Sequence, residues 1–171
     1  MLVAATSKAY RIPSSSMEPT LHCPRDVSGE VPQCLGDEAD RILVSKVEYR
    51  IRDPKRGDIV AYELPAAGAR CGSPEGSTFV HRIVGLPGDR IALRGGRVVV
   101  DGRTLEEDYI DAGRRGESTL SQRIIPADKY FVLGDNRPQS CDSRVWGYLD
   151  RDRIIGPKLA TYWPEDRISI R

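Results

Sequence analysis

The sequence predicts one mostly β domain, and three observations favour this fold class. Its 171 residues suit a single domain, or a single domain that carries an insertion. Short runs rich in Val and Ile are separated by 12 Pro and 16 Gly, which is typical of strands joined by turns. No run of 18 apolar residues occurs, so the sequence predicts no membrane-spanning helix within it.

The chain is predicted to enter as an extended segment at residues 1–12 and to turn at residues 12–21. Pro13 and Pro19 lack amide donors, and the serines between them compete with the backbone for hydrogen bonds, so this stretch is a poor helix. The three consecutive serines are therefore expected on an exposed, rigid turn.

The next elements are predicted to pair as sequence neighbours. Residues 41–51 indicate a strand, and residues 53–58 carry Pro and Gly where tight turns use them. Residues 59–64 would then return as the second strand of a hairpin. Residues 78–84 give the best strand signal in the chain.

The second half of the chain predicts a small hairpin and two further strands. Asp101-Gly102 is a strong turn signal and places a hairpin at residues 95–105. Residues 106–122 are charged and are predicted to be peripheral. The two further strands are indicated at residues 130–133 and 154–163, with a long polar loop between them.

The charge balance gives no support for a nucleic-acid-binding function. Lys and Arg (26) nearly equal Asp and Glu (25), and the two signs are mixed along the chain. The basic footprint that nucleic acid requires is therefore missing from the sequence.

The four cysteines favour disulfides in an oxidising compartment, although four cysteines allow three connectivities. Cys23 and Cys34 flank a polar loop, and a bridge between them would contribute about 3 kcal/mol in the chain-entropy model. Cys71 and Cys141 are then the natural second pair. Zinc binding is the alternative, because His22 adjoins Cys23, but no C-x-x-C spacing supports it.

The chain has two histidines, and their positions differ in character. His22 is predicted to be a solvated surface residue. Strand alternation places His81 on one face with Phe79 and Ile83, so its ring is expected to be partly desolvated. Alone, such a histidine is more often a core residue than a base, and three serines on a turn are more often only a turn.

Together with their neighbours, however, these stretches resemble the type I signal peptidases, the membrane-bound serine proteases that remove secretory signal peptides. The matching stretches occur in the family's order at residues 13–21, 40–46, 55–60, 81–89, 134–137 and 140–147. A chance match to one of them is believable, but a chance match to all of them in order is not.

The resemblance implies a role for each matching residue. Ser16 matches the nucleophile, and a serine needs a neighbouring base before it can attack a carbonyl. Ser14 matches the residue whose hydroxyl joins the Ser16 amide in the oxyanion hole. The positions that brace the base are here Ser140, Asp142 and Arg144. The positions that line the shallow substrate pockets are here Tyr10, Ile12, Pro13, Met17, Leu21 and Val80.

His81 departs from the bacterial pattern, which has a lysine at this position. A lysine base must be lowered from a pKa of ~10.4, whereas imidazole starts at ~6.5, close to working pH. The endoplasmic-reticulum branch of the family uses a Ser–His arrangement here. The shorter ring must approach Ser16 closely or act through a water, and its second nitrogen needs a partner. Asp142 is the first candidate for that partner and Asp135 the second.

The resemblance also implies the architecture and the activity. We expect a signal-peptidase-like β core of residues 1–94 and 123–171, with residues 95–122 inserted as a small hairpin cap. The implied reaction is endoproteolysis of secretory preproteins after a small residue, without a metal or an organic cofactor. The implied location is the extracytoplasmic face of the cell membrane, with an anchor helix that is not in this chain.

Three alternatives stay open at this point. A self-cleaving repressor-type peptidase shares the expected fold but would bring a DNA-binding domain and a lysine base. A catalytically inactive, peptide-binding relative is allowed by the histidine at position 81. A β-sandwich interaction module is possible but would leave the ordered motifs unexplained.

Overall fold

The computed structural model of the chain describes residues 6–25 and 34–170. Its strands are β1 (Ser7–Arg11), β2 (Arg41–Ser45), β3 (Ile59–Glu63), β4 (Thr78–Gly85), β5 (Arg90–Arg94), β6 (Arg97–Val100), β7 (Arg103–Thr104), β8 (Leu120–Ile124), β9 (Lys129–Leu133), β10 (Leu149–Asp150), β11 (Ile154–Trp163) and β12 (Ser169–Ile170). These strands form two antiparallel sheets. The prediction of a mostly β protein is therefore confirmed.

Helical segments are short. An α-helix, α1, spans Ser143–Trp146. Short 3-10 segments occur at Ser15–Met17, Glu48–Arg50, Ala66–Cys71, Ala112–Arg114, Arg137–Gln139, Arg151–Arg153 and Glu165–Arg167. Among the residues described, no helix has the length and apolar character needed to cross a membrane.

The larger sheet has eight strands in the order β1-β2-β11-β3-β4-β9-β10, with β12 also paired to β11. The predicted hairpin between residues 41–51 and 59–64 is wrong, because β11 lies between β2 and β3 and pairs with both. The long connection at residues 46–58, which includes the turn Glu48–Arg50, leaves room for this insertion. Adjacent strands in the sequence are thus separated in the sheet.

The smaller sheet has four strands in the order β7-β6-β5-β8. The predicted turn at Asp101-Gly102 is confirmed, since both residues have positive φ angles (50° and 81°), as a tight two-residue hairpin turn requires. The sheet runs from Arg90 to Ile124, so the strand pairing favours wider bounds than the predicted cap of residues 95–122. The division into a core and an inserted subdomain stays a prediction.

We predicted from their charge that residues 106–122 are peripheral, but one of them, Glu107, is buried. The carboxylate of Glu107 is buried and accepts a hydrogen bond from Arg115 (3.0 Å). It also pairs with the buried guanidinium of Arg137, which follows β9. A buried carboxylate requires such partners, and here they join the smaller sheet to the polar loop after β9.

Three apolar clusters fill the space around the larger sheet, and β4 contributes to each of them. Ile83, with Phe79 packed nearby, belongs to the cluster that contains Tyr62 and Trp146. Val84 packs between the two sheets, and Val80 packs against the cluster beneath the serine turn. The predicted alternation of β4 is confirmed, because Phe79, His81 and Ile83 share one face.

Glu18 fixes the serine turn to the neighbouring disulfide. Its side chain is fully buried and accepts the backbone amides of Cys23 and Leu35, both at 3.0 Å. It also pairs with His22, whose side chain is only 15% exposed, so the prediction of a solvated His22 is wrong. The contact with Glu18 and the burial of this stretch keep the ring from solvent.

The structure pairs Cys23 with Cys34 and Cys71 with Cys141, as predicted. The alternative of a zinc site next to His22 loses its thiolate ligands, because both thiols are consumed in the first bridge. The loop that this bridge closes was predicted to be polar and irregular, and its residues 26–33 lie outside the described ranges.

Replacing Glu18 by Ala is expected to lower the free energy of unfolding by about 2–4 kcal/mol, because two buried amides lose their acceptor. Urea unfolding followed by circular dichroism measures this loss. Glu63→Ala is the control, since Glu63 is exposed on β3 and should change stability little. Equal stability of the two variants would show that Glu18 does not hold this region together.

Candidate active site

A cleft of about 370 Å³ opens between the serine turn and the first half of β4. Five of the six residues predicted to line the substrate pockets line this cleft, namely Tyr10, Ile12, Pro13, Met17 and Val80. Leu21 does not line it, because its side chain is fully buried in the apolar cluster with Ile12 and Met17. Leu21 therefore supports the cleft from behind.

Ser16 lies in the 3-10 turn Ser15–Met17 and faces the cleft. Asn136 holds this turn in place: its side-chain amide donates to the Ser15 carbonyl and its backbone amide donates to the Ser16 carbonyl, both at 3.0 Å. The hydroxyls of Ser14 and Ser16 are 3.4 Å apart. The turn thus presents two hydroxyls to the same space, as the oxyanion-hole prediction for Ser14 requires.

His81 lies on β4 and is only 3% exposed. Its Nδ1 is 2.8 Å from the hydroxyl of Tyr62, and its Nε2 is 3.3 Å from the hydroxyl of Ser140. Ser16 and His81 line the same cleft, although no hydrogen bond joins them directly in the part of the chain that the structure describes. Hydrogen bonds at catalytic sites often form only when substrate is bound.

Asp142 organises the loop next to His81. It accepts hydrogen bonds from the Ser140 hydroxyl (2.7 Å) and from the Gly134 amide (3.1 Å). Two nitrogens of Arg144 bind its carboxylate in a fork, each at 2.8 Å. The three residues predicted to brace the base are thus brought together on one side of His81.

The prediction that Asp142 or Asp135 would bond directly to His81 differs from the structure. Asp142 is connected to the ring only through Ser140. Asp135 binds the guanidinium of Arg82 twice (2.9 and 2.7 Å) and accepts from Thr20. Arg82 follows His81 in β4, so its side chain points to the opposite face and takes Asp135 with it.

The electrostatics of the loop favour an ionised carboxylate and a neutral imidazole. Burial raises the pKa of Asp142, but hydrogen bonds and charge from Arg144 outweigh it, so the pKa lies below its usual value. Burial lowers the pKa of His81 from 6.5 and Arg144 adds to this, while Asp142 and Asp135 act in the opposite direction. His81 is therefore uncharged at neutral pH, which is the state that a general base needs.

Sequence reasoning missed Tyr62, the residue in contact with the second nitrogen of His81. Tyr62 is fully buried in β3 and lies opposite Phe79, two residues from His81 in β4. Burial, followed by the charge of Asp142, raises the pKa of its hydroxyl well above 10.0, so it stays neutral. The strand predicted at residues 59–64 was the available signal, but without the correct strand pairing it did not point to His81.

The disulfide between Cys71 and Cys141 connects this loop to the turn Ala66–Cys71. Cys141 stands between Ser140 and Asp142 in the sequence, and both half-cystines line the cleft. The bridge therefore restrains the two residues that connect Arg144 to His81.

Comparisons with known proteins give a consistent family. The sequence model described as signal peptidase, peptidase S26, matches residues 1–163. Signal peptidase I of Leptolyngbya laminosa is 36% identical and covers 95% of this chain and 72% of its own length. Probable signal peptidase I-2 of Synechocystis sp. is 37% identical, with 96% of this chain and 66% of that protein covered.

A solved structure agrees with the sequence relatives. The crystal structure of a signal peptidase I from Enterococcus faecalis matches with a TM-score of 0.51 and 30% identity. The match covers 63% of this chain and 97% of that chain. The expectation of a signal-peptidase-like β core is confirmed.

Replacing both Cys71 and Cys141 by Ser is expected to lower the free energy of unfolding by about 4 kcal/mol, because the bridge spans a sequence separation of 70. The turnover of the folded variant should fall about tenfold or more, because Ser140 and Asp142 lose a restraint and small displacements are costly in catalysis. Peptide cleavage at a temperature where the variant is folded measures this effect.

The control for this variant replaces Cys23 and Cys34 by Ser. It removes a bridge that contacts neither Ser140 nor Asp142, so stability should fall by about 3 kcal/mol while turnover is retained. An unchanged turnover in the Cys71 and Cys141 variant would show that the loop holds its shape without the bridge.

Proposed function

This chain belongs to the signal peptidase family, peptidase S26, and we propose that Ser16 and His81 are the catalytic pair with which it removes signal peptides from secretory preproteins. The proposal rests on one observation: Ser16 and His81 line the same cleft, although 64 residues separate them in the sequence. Ser14, Ser140, Asp142 and Arg144 surround the pair in positions that suit their proposed roles.

In the proposed reaction, His81 accepts the Ser16 proton as the hydroxyl attacks the scissile carbonyl. The negative charge that develops on the carbonyl oxygen is bound by the Ser14 hydroxyl and the Ser16 amide, a contribution that is often the largest in such reactions. His81 then donates the proton to the leaving amine, and water releases the acyl-enzyme by the reverse sequence.

The substrate is proposed to bind as an additional strand along β4. β9 pairs with β4 only from Arg82 to Gly85, so Thr78–His81 have no strand partner on that side within the described ranges. An extended peptide can therefore pair with this free edge, a common mode of peptide capture. Apolar side chains of Ile12, Met17 and Val80 narrow the cleft beside it, which favours small residues before the cleavage site.

The substrates are expected to reach the enzyme at a membrane surface, at the extracytoplasmic face. Two disulfides support an oxidising compartment outside the cytoplasm. One further relative, 32% identical over 97% of this chain and 45% of its own length, is named thylakoidal processing peptidase 1, chloroplastic, of Arabidopsis thaliana. The catalytically inactive, peptide-binding alternative is not favoured by any contact at the site.

Ser16→Ala and His81→Ala are each expected to reduce preprotein cleavage by on the order of 10²–10⁴-fold, because each removes one member of the pair. Gel or mass-spectrometric analysis of a preprotein with a small residue before the cut measures the loss. Ser169→Ala is the control, since Ser169 is exposed on β12. Full activity of His81→Ala would remove histidine from the mechanism, and cleavage only by His81→Lys would mark the natural chain as inactive.

The pH dependence of kcat/KM should also identify the base. Burial lowers the pKa of His81 below 6.5, and only the neutral ring can accept a proton, so kcat/KM should rise with pH through a pKa below 6.5 and then level off. Because the pKa of His81 is lowered, the ring stays neutral to a lower pH, and activity should extend further into the acidic range. A profile that rises only above pH ~9 would indicate a base of lysine character instead.

A further inference from the structure

The hydroxyl of Tyr62 occupies the position that a carboxylate holds in a Ser–His–acid triad. It lies 2.8 Å from Nδ1 of His81, and the two ring centroids are 5.8 Å apart. Tyr62 is fully buried and its ring packs against Trp146, so the hydroxyl is held in place by the core rather than by solvent. Among the described residues, no other side chain bonds to this nitrogen.

The geometry shows which ring nitrogen serves Ser16. Nε2 contacts the hydroxyl of Ser140. Ser140 and Ser16 are neighbours, because atoms of both lie close to Gly134. A Cβ atom at Gly134 would lie 2.3 Å from the Ser140 hydroxyl and 2.5 Å from the Ser16 carbonyl. Nε2 therefore lies on the side of the serine turn that carries Ser16, whereas Nδ1 is directed to the buried hydroxyl of Tyr62.

The proton count then assigns a role to the tyrosine. If Nε2 accepts the Ser16 proton, the neutral ring must already carry its own proton on Nδ1, and an acceptor must bind that proton. Once Ser16 is deprotonated, both nitrogens carry protons, and the Nδ1–H still needs the same acceptor. The phenol oxygen of Tyr62 is the acceptor within reach, while the tyrosine keeps its own proton throughout.

The alternative tautomer of His81 is also compatible with this arrangement. The Ser140 hydroxyl donates to the carboxylate of Asp142, so its oxygen is free to accept a proton from Nε2. In that tautomer the Tyr62 hydroxyl rotates and donates to Nδ1. The ring keeps one orientation in both states, because a hydroxyl can act as donor or as acceptor.

We propose that Tyr62 is the positioning residue of His81: its hydroxyl accepts the Nδ1 proton during the reaction and holds Nε2 towards Ser16. The inference rests on the proposed function of Ser16 and His81. Both aspartates that could have taken this place are engaged elsewhere, Asp135 with Arg82 and Asp142 with Arg144. A neutral acceptor is sufficient here because the imidazole needs little help to work near neutral pH.

Tyr62→Phe tests the inference, because it removes the hydroxyl and keeps the ring. We expect kcat to fall about 10- to 100-fold with KM changed by less than about twofold, since the loss concerns the protonated ring in the transition state. The acid limb of the pH profile should move to lower pH, because a hydrogen bond that favours the charged imidazole is lost. A purely structural role would not move this limb.

Two further variants complete the experiment. Tyr130→Phe is the matched control, because it removes a hydroxyl from a tyrosine of the same apolar cluster without touching His81. Tyr62→Phe in the His81→Ala background should cause no further loss, since the tyrosine acts only through the ring. An additional loss there would overturn the inference.

The remaining outcomes separate the inference from the proposed function. If His81→Ala is inactive but Tyr62→Phe retains kcat, or moves the acid limb upward, the role of Tyr62 is wrong and the catalytic pair stands. If His81→Ala is fully active, the catalytic pair itself is wrong. Should Tyr62→Phe fail to fold, 15N-histidine NMR of the wild type, recorded below the pKa of the acid limb, tests the inference instead. A hydrogen-bonded, slowly exchanging Nδ1 proton whose signal disappears in His81→Ala supports the inference. The absence of such a proton in the wild type overturns it.

Discussion

The buried ion pair of Asp142 and Arg144 is the interaction on which the candidate site depends. A buried carboxylate is costly unless it is paired and hydrogen-bonded, and Asp142 satisfies this by binding Arg144, Ser140 and the Gly134 amide at once. Through these bonds one side chain fixes the end of β9, the hydroxyl beside His81 and the start of α1. Loss of Arg144 would leave the buried Asp142 carboxylate without its only charged partner in the described residues, with just the Ser140 hydroxyl and backbone amides bonded to it, so the shape of the loop depends on this pair.

The same burial suits the proposed role of His81 as a base, at a position where the family resemblance leads us to expect lysine in the bacterial relatives. An apolar site lowers the pKa of either cation, because it disfavours the charged form. A lysine needs a large shift to become neutral at physiological pH, whereas imidazole is already close and is shifted only further into its neutral range. A histidine therefore needs a smaller pKa shift from the site than a lysine does, but its ring has a second nitrogen that lysine does not have. In the proposed arrangement, the Tyr62 phenol rather than a carboxylate bonds to that nitrogen.

Much of this arrangement could be predicted from sequence because it depends on local rules. Alternation along β4 placed His81 on the face of Phe79 and Ile83, the Asp101-Gly102 turn fixed one hairpin, and the cysteine spacing led to the observed pairs. What escaped prediction depends on long-range pairing. The entry of β11 between β2 and β3 has no local signal, and the roles of Tyr62 and Asp135 follow from which strands meet rather than from their own neighbours in the sequence.

The smaller sheet is connected to the site by charge as well as by packing. Arg137 is fully buried and donates to the carbonyls of Gly134 and Gly96 while it pairs with Glu107, so one guanidinium joins the polar loop after β9 to residues on both sides of β6. Arg144 adds a second connection, since it donates to Ser118 ahead of β8 and to the Arg137 carbonyl. The planar donors of these two arginines thus bind carbonyls of the polar loop after β9 and help to set its path. The charged residues between β7 and β8, which look like a solvated surface in the sequence, are therefore part of what holds Ser140 and Asp142 in position.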